Sequence, residues 1–166
     1  MTVCSPPIVI NPDCFLQTER GRVWTPERNQ AAWRQSHDAL TTILDGPCEP
    51  AGAWTIVIVC GLQGAGKTTW IARQPAQPST VYFDAALPGA RHRAPIVAIA
   101  KAAGARIEIV WIKVALHVAL ARNLQRVADE QVPEAAIRSV DNLFEAPTLA
   151  EGADHVRVVT PAEWAP

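Results

Sequence analysis

The sequence contains no apolar run approaching the roughly 18 residues that cross a bilayer as a helix. Its start, Met1-Thr2-Val3-Cys4-Ser5-Pro6-Pro7, lacks the charged and apolar regions of a signal peptide. Both absences argue against a membrane partner and lead us to expect a cytoplasmic protein. The four cysteines, Cys4, Cys14, Cys48 and Cys60, form no CxxC pair, and His37, His92, His117 and His155 stand at no ligand spacing. A zinc site or redox motif is therefore not expected, and the cysteines read as free thiols. Repeats and low-complexity tracts are missing as well. So is an excess of either charge: the net value of -1 gives no global field toward nucleic acid, although 15 Lys and Arg leave room for a local basic groove.

What is present fits a globular chain, 49% hydrophobic and 19% charged. At 166 residues it has material for one good core and too little for two ordinary domains, so a single domain over residues 1–166 is expected. Ile8-Val9-Ile10 is a short β-branched strand running into the turn Asn11-Pro12-Asp13. Thr25-Pro26-Glu27 supplies an N-cap, a proline for the first helical position and an acid for the first turn. Trp33, Ala39, Leu40, Ile43 and Leu44 then recur at helical spacing before Gly46-Pro47, which predicts a helix over 26–45 and a linker over 47–52. Trp54-Thr55-Ile56-Val57-Ile58-Val59-Cys60 is almost unbroken apolar sequence, the pattern of a central parallel strand covered on both faces.

Further elements alternate. A helix over 66–73 is cut short by Pro75 and Pro78, and Thr80-Val81-Tyr82-Phe83 makes a strand ending at Asp84. A helix is expected over 95–103, closed by Gly104, then a buried strand over 107–114. Helices over 116–130 and 133–145 precede a last strand over 155–159, with 161–166 left as a loose tail. Such alternation predicts an α/β fold in three layers, a parallel sheet of about five strands flanked by helices, with ligands beyond the carboxyl ends of the strands.

Gly61-Leu62-Gln63-Gly64-Ala65-Gly66-Lys67-Thr68 matches GxxxxGK[ST] directly after a buried strand and directly before a helix, the context that makes this motif specific. Its glycines let backbone N–H groups converge on the phosphates of a nucleoside triphosphate, the helix that opens at Thr68-Thr69 adds its positive end, and Lys67 reaches the β and γ phosphates. Thr68 offers a hydroxyl to Mg²⁺, and Asp84, at the end of an otherwise apolar strand, offers a carboxylate beside it. A plain strand-to-helix turn and a helix cap are the alternatives for the loop and for Asp84. No Asn-Lys-x-Asp segment is present to recognise guanine, so ATP is the expected nucleotide. Arg122 and Arg126, four apart on a predicted helix, share one face and can clamp phosphates as a lid, or else form a solvated stripe. Arg91 and Arg93 read as a solvated loop. Of the six tryptophans, Trp33, Trp54, Trp70 and Trp111 fit core patterns, and Trp24 stands outside them as the candidate for an exposed, stacking role.

From the glycine loop onward, over roughly two-thirds of the chain, the sequence resembles the polynucleotide-kinase-like P-loop kinases, a group that includes the zeta toxins and several small-molecule kinases. The likeness is carried by the loop, by Val81-Tyr82-Phe83-Asp84 with Arg91-His92-Arg93, by Ala119-Leu120-Ala121-Arg122-Asn123-Leu124-Gln125-Arg126, and by Val132-Pro133-Glu134 through Phe144-Glu145-Ala146-Pro147 to Glu151-Gly152. The resemblance implies a kinase rather than a switch or motor, with Arg122 and Arg126 as lid residues over ATP. Two departures stand out. Where that family carries Asp-x-Thr-Asn, this chain has Asp84-Ala85-Ala86-Leu87. Where that family inserts a strand ending in the acid that serves the acceptor hydroxyl, only residues 74–79 separate the loop's helix from the strand of Asp84.

The counterpart of that strand lies ahead of the loop, in Ile8-Val9-Ile10-Asn11-Pro12-Asp13 and the helix after it, because a strand can take the same sheet position from another point in the chain. Residues 1–47 then form the acceptor-binding segment and 53–160 the nucleotide-binding core and lid, with Asp13 as acceptor base; a simple turn at Asn11-Pro12-Asp13 is the alternative. The expected activity is ATP- and Mg²⁺-dependent transfer of the γ-phosphoryl group to a hydroxyl. Near-neutral charge favours a small molecule over a polynucleotide 5′ end as the acceptor. An ATP-binding sensor with no phosphoryl acceptor is the other class the sequence allows. It gives no oligomeric state.

Overall fold

The computed structural model describes residues 7–48, 53–75 and 77–164. Cys4, most of the expected linker and the last two residues of the expected tail lie outside them, as does the side chain of Trp164. Among the described residues there are seven strands: β1 (Ile8–Ile10), β2 (Gln17–Thr18), β3 (Gly21–Arg22), β4 (Thr55–Cys60), β5 (Thr80–Asp84), β6 (Arg106–Ile112) and β7 (His155–Val159). Five of them form one parallel sheet in the order β1-β5-β4-β6-β7, and β2 and β3 make a small antiparallel hairpin.

Strand alternation divides the core into two. On one face Ile56, Ile58, Cys60, Val81, Phe83, Ile107 and Ile109 meet Leu40 and Leu44 of α1 (Pro26–Leu44) and Ile96, Val97 and Ala100 of α3 (Ala90–Ala102). On the other, Val57, Val59, Tyr82, Val110 and Ile112 meet Trp70 and Ile71 of α2 (Lys67–Ala72) and Ala119 of α4 (Leu116–Leu124). Both faces of β4 and β5 are therefore dry, as their unbroken apolar runs require. Trp33 stacks on Phe83 at 6.0 Å and Trp111 on Phe144 at 5.0 Å, while Trp70 is buried, so these indoles belong to the core or its margin as expected.

The N-cap of α1 forms as the sequence indicates: Thr25 accepts a hydrogen bond from the Arg28 amide at 3.2 Å, with Pro26 in the first turn. Four other elements differ from expectation. The helix placed at 95–103 begins five residues earlier, at Ala90, and carries Pro95 inside it. Its start is fixed by His92, whose Nδ1 accepts from the Gly89 amide at 3.1 Å, and by Glu145, whose carboxylate accepts from the Ala90 amide at 2.8 Å. The helix placed at 116–130 stops at Leu124, because the Asn123 side chain donates to the Val132 carbonyl and accepts from the Val132 amide, folding 125–131 back as a loop. The helix placed at 133–145 is shorter, α5 (Glu134–Asn142), and the tail begins with a helical turn, α6 (Pro161–Trp164). Among the described residues no helix is long and apolar enough to cross a membrane.

Arg93 corrects the reading of Arg91 and Arg93 as a solvated loop. Both are in α3, and the Arg93 side chain is fully buried. Its guanidinium donates to both Glu151 carboxylate oxygens, at 2.7 and 2.9 Å, and to the carbonyls of Leu87 and Glu145. One cation thus pins the segment after β5 to the segment before β7. Removing one partner of such a pair strands the other charge in a dry site. Arg93→Met is expected to lower unfolding stability by about 3–5 kcal/mol, read as a lower urea midpoint with the slope unchanged.

Candidate active site

The loop at 61–68 leaves β4 and enters α2 through three glycines with positive φ: Gly61 at 144°, Gly64 at 85° and Gly66 at 97°. Gly64 also has no room for a side chain, since an added Cβ would collide with the carbonyl oxygen of Ala119 on α4. Backbone curl and close helix approach are one constraint here, and only glycine satisfies it. Lys67 is buried, and its Nζ donates to the carbonyls of Gly61 at 3.1 Å and Leu62 at 3.0 Å. Burial pushes its pKa below the usual lysine value, the Asp84 carboxylate opposes that shift, and the positive charge of Arg126 adds to it. The ammonium is thus folded onto the rim of its own loop, at the position from which it would meet phosphate oxygens.

Asp84 is almost completely buried at the end of β5. One oxygen, Oδ2, accepts from Thr68 Oγ1 at 2.6 Å and from Asn11 Nδ2 at 3.3 Å. The acid is therefore joined to the loop on one side and to the end of β1 on the other. β1 pairs with β5 in parallel, Ile10 opposite Phe83, so the residues after each strand emerge at the same edge of the sheet. Asn11 in turn accepts from the Asp13 amide at 2.9 Å, capping a 3-10 turn over Pro12–Leu16 that carries Asp13. The turn reading of Asn11-Pro12-Asp13 is correct as local structure, and it is also what aims Asp13.

Asp13, Lys67, Thr68, Asp84, Gln63 and Arg126 line one cavity of about 550 Å³. Its remaining wall comes from the hairpin and α1, with Arg22, Trp24, Asn29 and Trp33, and from the loop after α4, with Asp129, Glu130 and Val132. The two lid arginines do not share a helix face, contrary to the 116–130 helix. Arg122 is on α4 and donates to the Ala65 carbonyl at 3.1 Å, whereas Arg126 follows the Gln125 cap and reaches the cavity. Thr69 is exposed on the first turn of α2. Oxygen donors from Thr68 and Asp84, few in number and beside a phosphate loop, suit Mg²⁺, which usually takes one or two protein ligands and completes its shell with phosphate oxygens and water.

Three contributors were not legible. Arg22 donates to Asp13 at 3.0 Å, Asp129 accepts from the Arg22 amide at 3.4 Å, and Asn11 bridges Asp84 and Asp13. The hairpin that presents Arg22 has only two residues per strand, too few for an alternation to be read. Gly21, with φ at 99°, was its one signal.

Fold and loop together are a parallel α/β sheet with a phosphate-loop motif at the carboxyl end of its central strand, β4. A family model described as an AAA domain matches residues 76–147, beginning after the glycine loop. No curated protein matches the chain. Among solved structures, a chain of the complex titled "crystal structure of AvrRxo1-ORF1:AvrRxo1-ORF2 with sulphate ions" is similar at 14% identity and a TM-score of 0.46. The similarity covers 70% of this chain and 56% of that one.

Gly64→Ala is expected to weaken ATP binding about tenfold or more, since the left-handed conformation alone disfavours a Cβ by roughly 1–2 kcal/mol. Calorimetric titration with ATP and Mg²⁺ measures it. Unchanged affinity would mean that the loop does not hold the phosphates.

Proposed function

We propose that the chain is a phosphotransferase that uses ATP and Mg²⁺ to phosphorylate a hydroxyl, of a small molecule or of a polynucleotide 5′ end. Residues 1–47 supply the acceptor side and 53–160 the nucleotide side and lid. The observation that carries this reading is the presence of Asp13 in the same cavity as Lys67, Thr68 and Asp84, delivered there by a strand that precedes the loop in the chain but lies beside β5 in the sheet.

Each group then has a task. The amides of 61–68 and Lys67 hold the β and γ phosphates, and Lys67 leaves its loop carbonyls to do so. Thr68 and Asp84, which share a hydrogen bond, would hold Mg²⁺. Held there, the ion would supply positive charge against the charge that develops as the phosphoryl group moves. Asp13 accepts the proton of the acceptor hydroxyl as its oxygen bonds to the γ-phosphorus and the bond to the β–γ bridging oxygen breaks, releasing ADP. Arg22 orients Asp13 through their ion pair. Arg126 meets the transferring group from the lid, while Arg122 braces the loop through Ala65.

The test is transfer from γ-labelled ATP to a panel of alcohols and 5′-hydroxyl oligonucleotides. Asp13→Ala is expected to lower transfer by about 10²–10⁴-fold, the usual range for a general base, with ATP affinity within a few-fold of wild type. Lys67→Ala is expected to lose both. Full transfer by Asp13→Ala would overturn the role of Asp13. ATP turnover that no acceptor accelerates would favour a nucleotide sensor instead.

A further inference from the structure

The acceptor half of the cavity differs in chemistry from the phosphate half. Trp24 lines it yet is 63% exposed, an indole face with no protein cover. Trp33, stacked on Phe83, is fixed in place further inside, so the cavity has an aromatic lining that is rigid at one end and open at the other. The whole cavity, its phosphate end included, has a volume of about 550 Å³, so the share left to the acceptor is that of a small molecule. Asp129 also lines the cavity and touches the hairpin at Gly21 and Arg22, so the loop after α4 meets the hairpin and interrupts an open track for a polymer on that side.

Charge narrows the acceptor further. With Lys67, Arg126 and Asp84 committed to the phosphates and metal, the acceptor half has Asp13, Asp129 and Glu130 against the single cation of Arg22, which is already paired with Asp13. Such a lining repels a phosphate-bearing acceptor.

Resting on the phosphotransferase reading, we infer that the acceptor is a small alcohol bearing a flat ring and no phosphate, its ring lying on Trp24. The ring covers the exposed indole, and the hydroxyl reaches Asp13 from the side away from the nucleotide. A polynucleotide end fails on both counts, being anionic and requiring an open path for its chain.

Matched acceptors separate the two requirements. Phenyl β-glucoside against methyl β-glucoside isolates the ring, adenosine against its 3′-monophosphate isolates the charge, and a 5′-hydroxyl oligonucleotide represents the polymer. With the full chain, labelled ATP and Mg²⁺, the ring-bearing, phosphate-free member of each pair is expected to be used about tenfold better in kcat/KM, the size of one aromatic stacking contact. Trp24→Ala is expected to raise KM for the phenyl glucoside about tenfold with a much smaller change in kcat, and Trp24→Phe to recover most of the loss. Preference for the oligonucleotide, the monophosphate or the methyl glucoside overturns the inference and leaves the phosphotransferase reading standing. So does a ring preference that Trp24→Ala leaves intact. Transfer to none of the five compounds, with ATP bound, overturns both.

Discussion

A single carboxylate oxygen, Oδ2 of Asp84, holds the site together. A charge this deeply buried is tolerated only with partners, and its two are Thr68 of the glycine loop and Asn11 at the end of β1. The requirement of one acid for hydrogen bonds therefore sets the spacing between the phosphate side and the turn that carries Asp13. From Asn11 the constraint passes through the Asp13 amide to the turn, and from the Asp13 carboxylate to Arg22 and the hairpin. Packing supplies the rest: β5 is dry on both faces, so Asp84 has little freedom to move away from either partner.

The glycine loop illustrates how far sequence reasoning reaches. Its residue types, its preceding apolar strand and its following helix are all local, and so the loop was readable as a strand-to-helix glycine turn, whereas the close approach of α4 at Gly64 was not. The parallel five-stranded sheet was equally readable, because strands buried on both faces announce themselves as continuous apolar runs. β1 was found as a strand from three β-branched residues, and it pairs with β5 at the edge of the sheet.

What could not be read depends on contacts between distant segments. Pro95 looks like a helix start on local grounds, but His92 and Glu145 cap the chain at Gly89 and Ala90, and the ring is carried within the helix. Arg93 looks like a loop cation until Glu151, 58 residues away, is brought beside it. Arg126 fits a helical repeat until Asn123 clasps Val132 and ends the helix. In each case a side-chain hydrogen bond to another segment, 55 residues away at Ala90, 58 at Arg93 and 9 at Asn123, outweighed local propensity.

The order of elements along the chain also has a consequence for how the molecule is made. During synthesis Ile8–Ile10 leaves the ribosome long before its only neighbour in the sheet, since Asn11 and Asp84 are separated by 73 residues. β1 is an edge strand with Ile8 and Val9 each 41% exposed even in the finished fold, so it has little to hold it until β5 arrives. β4 to β7 with their helices are contiguous in the chain, so the turn bearing Asp13 comes to the glycine loop only once β1 has met β5, a closure across 73 residues that the neighbouring strands do not have to make.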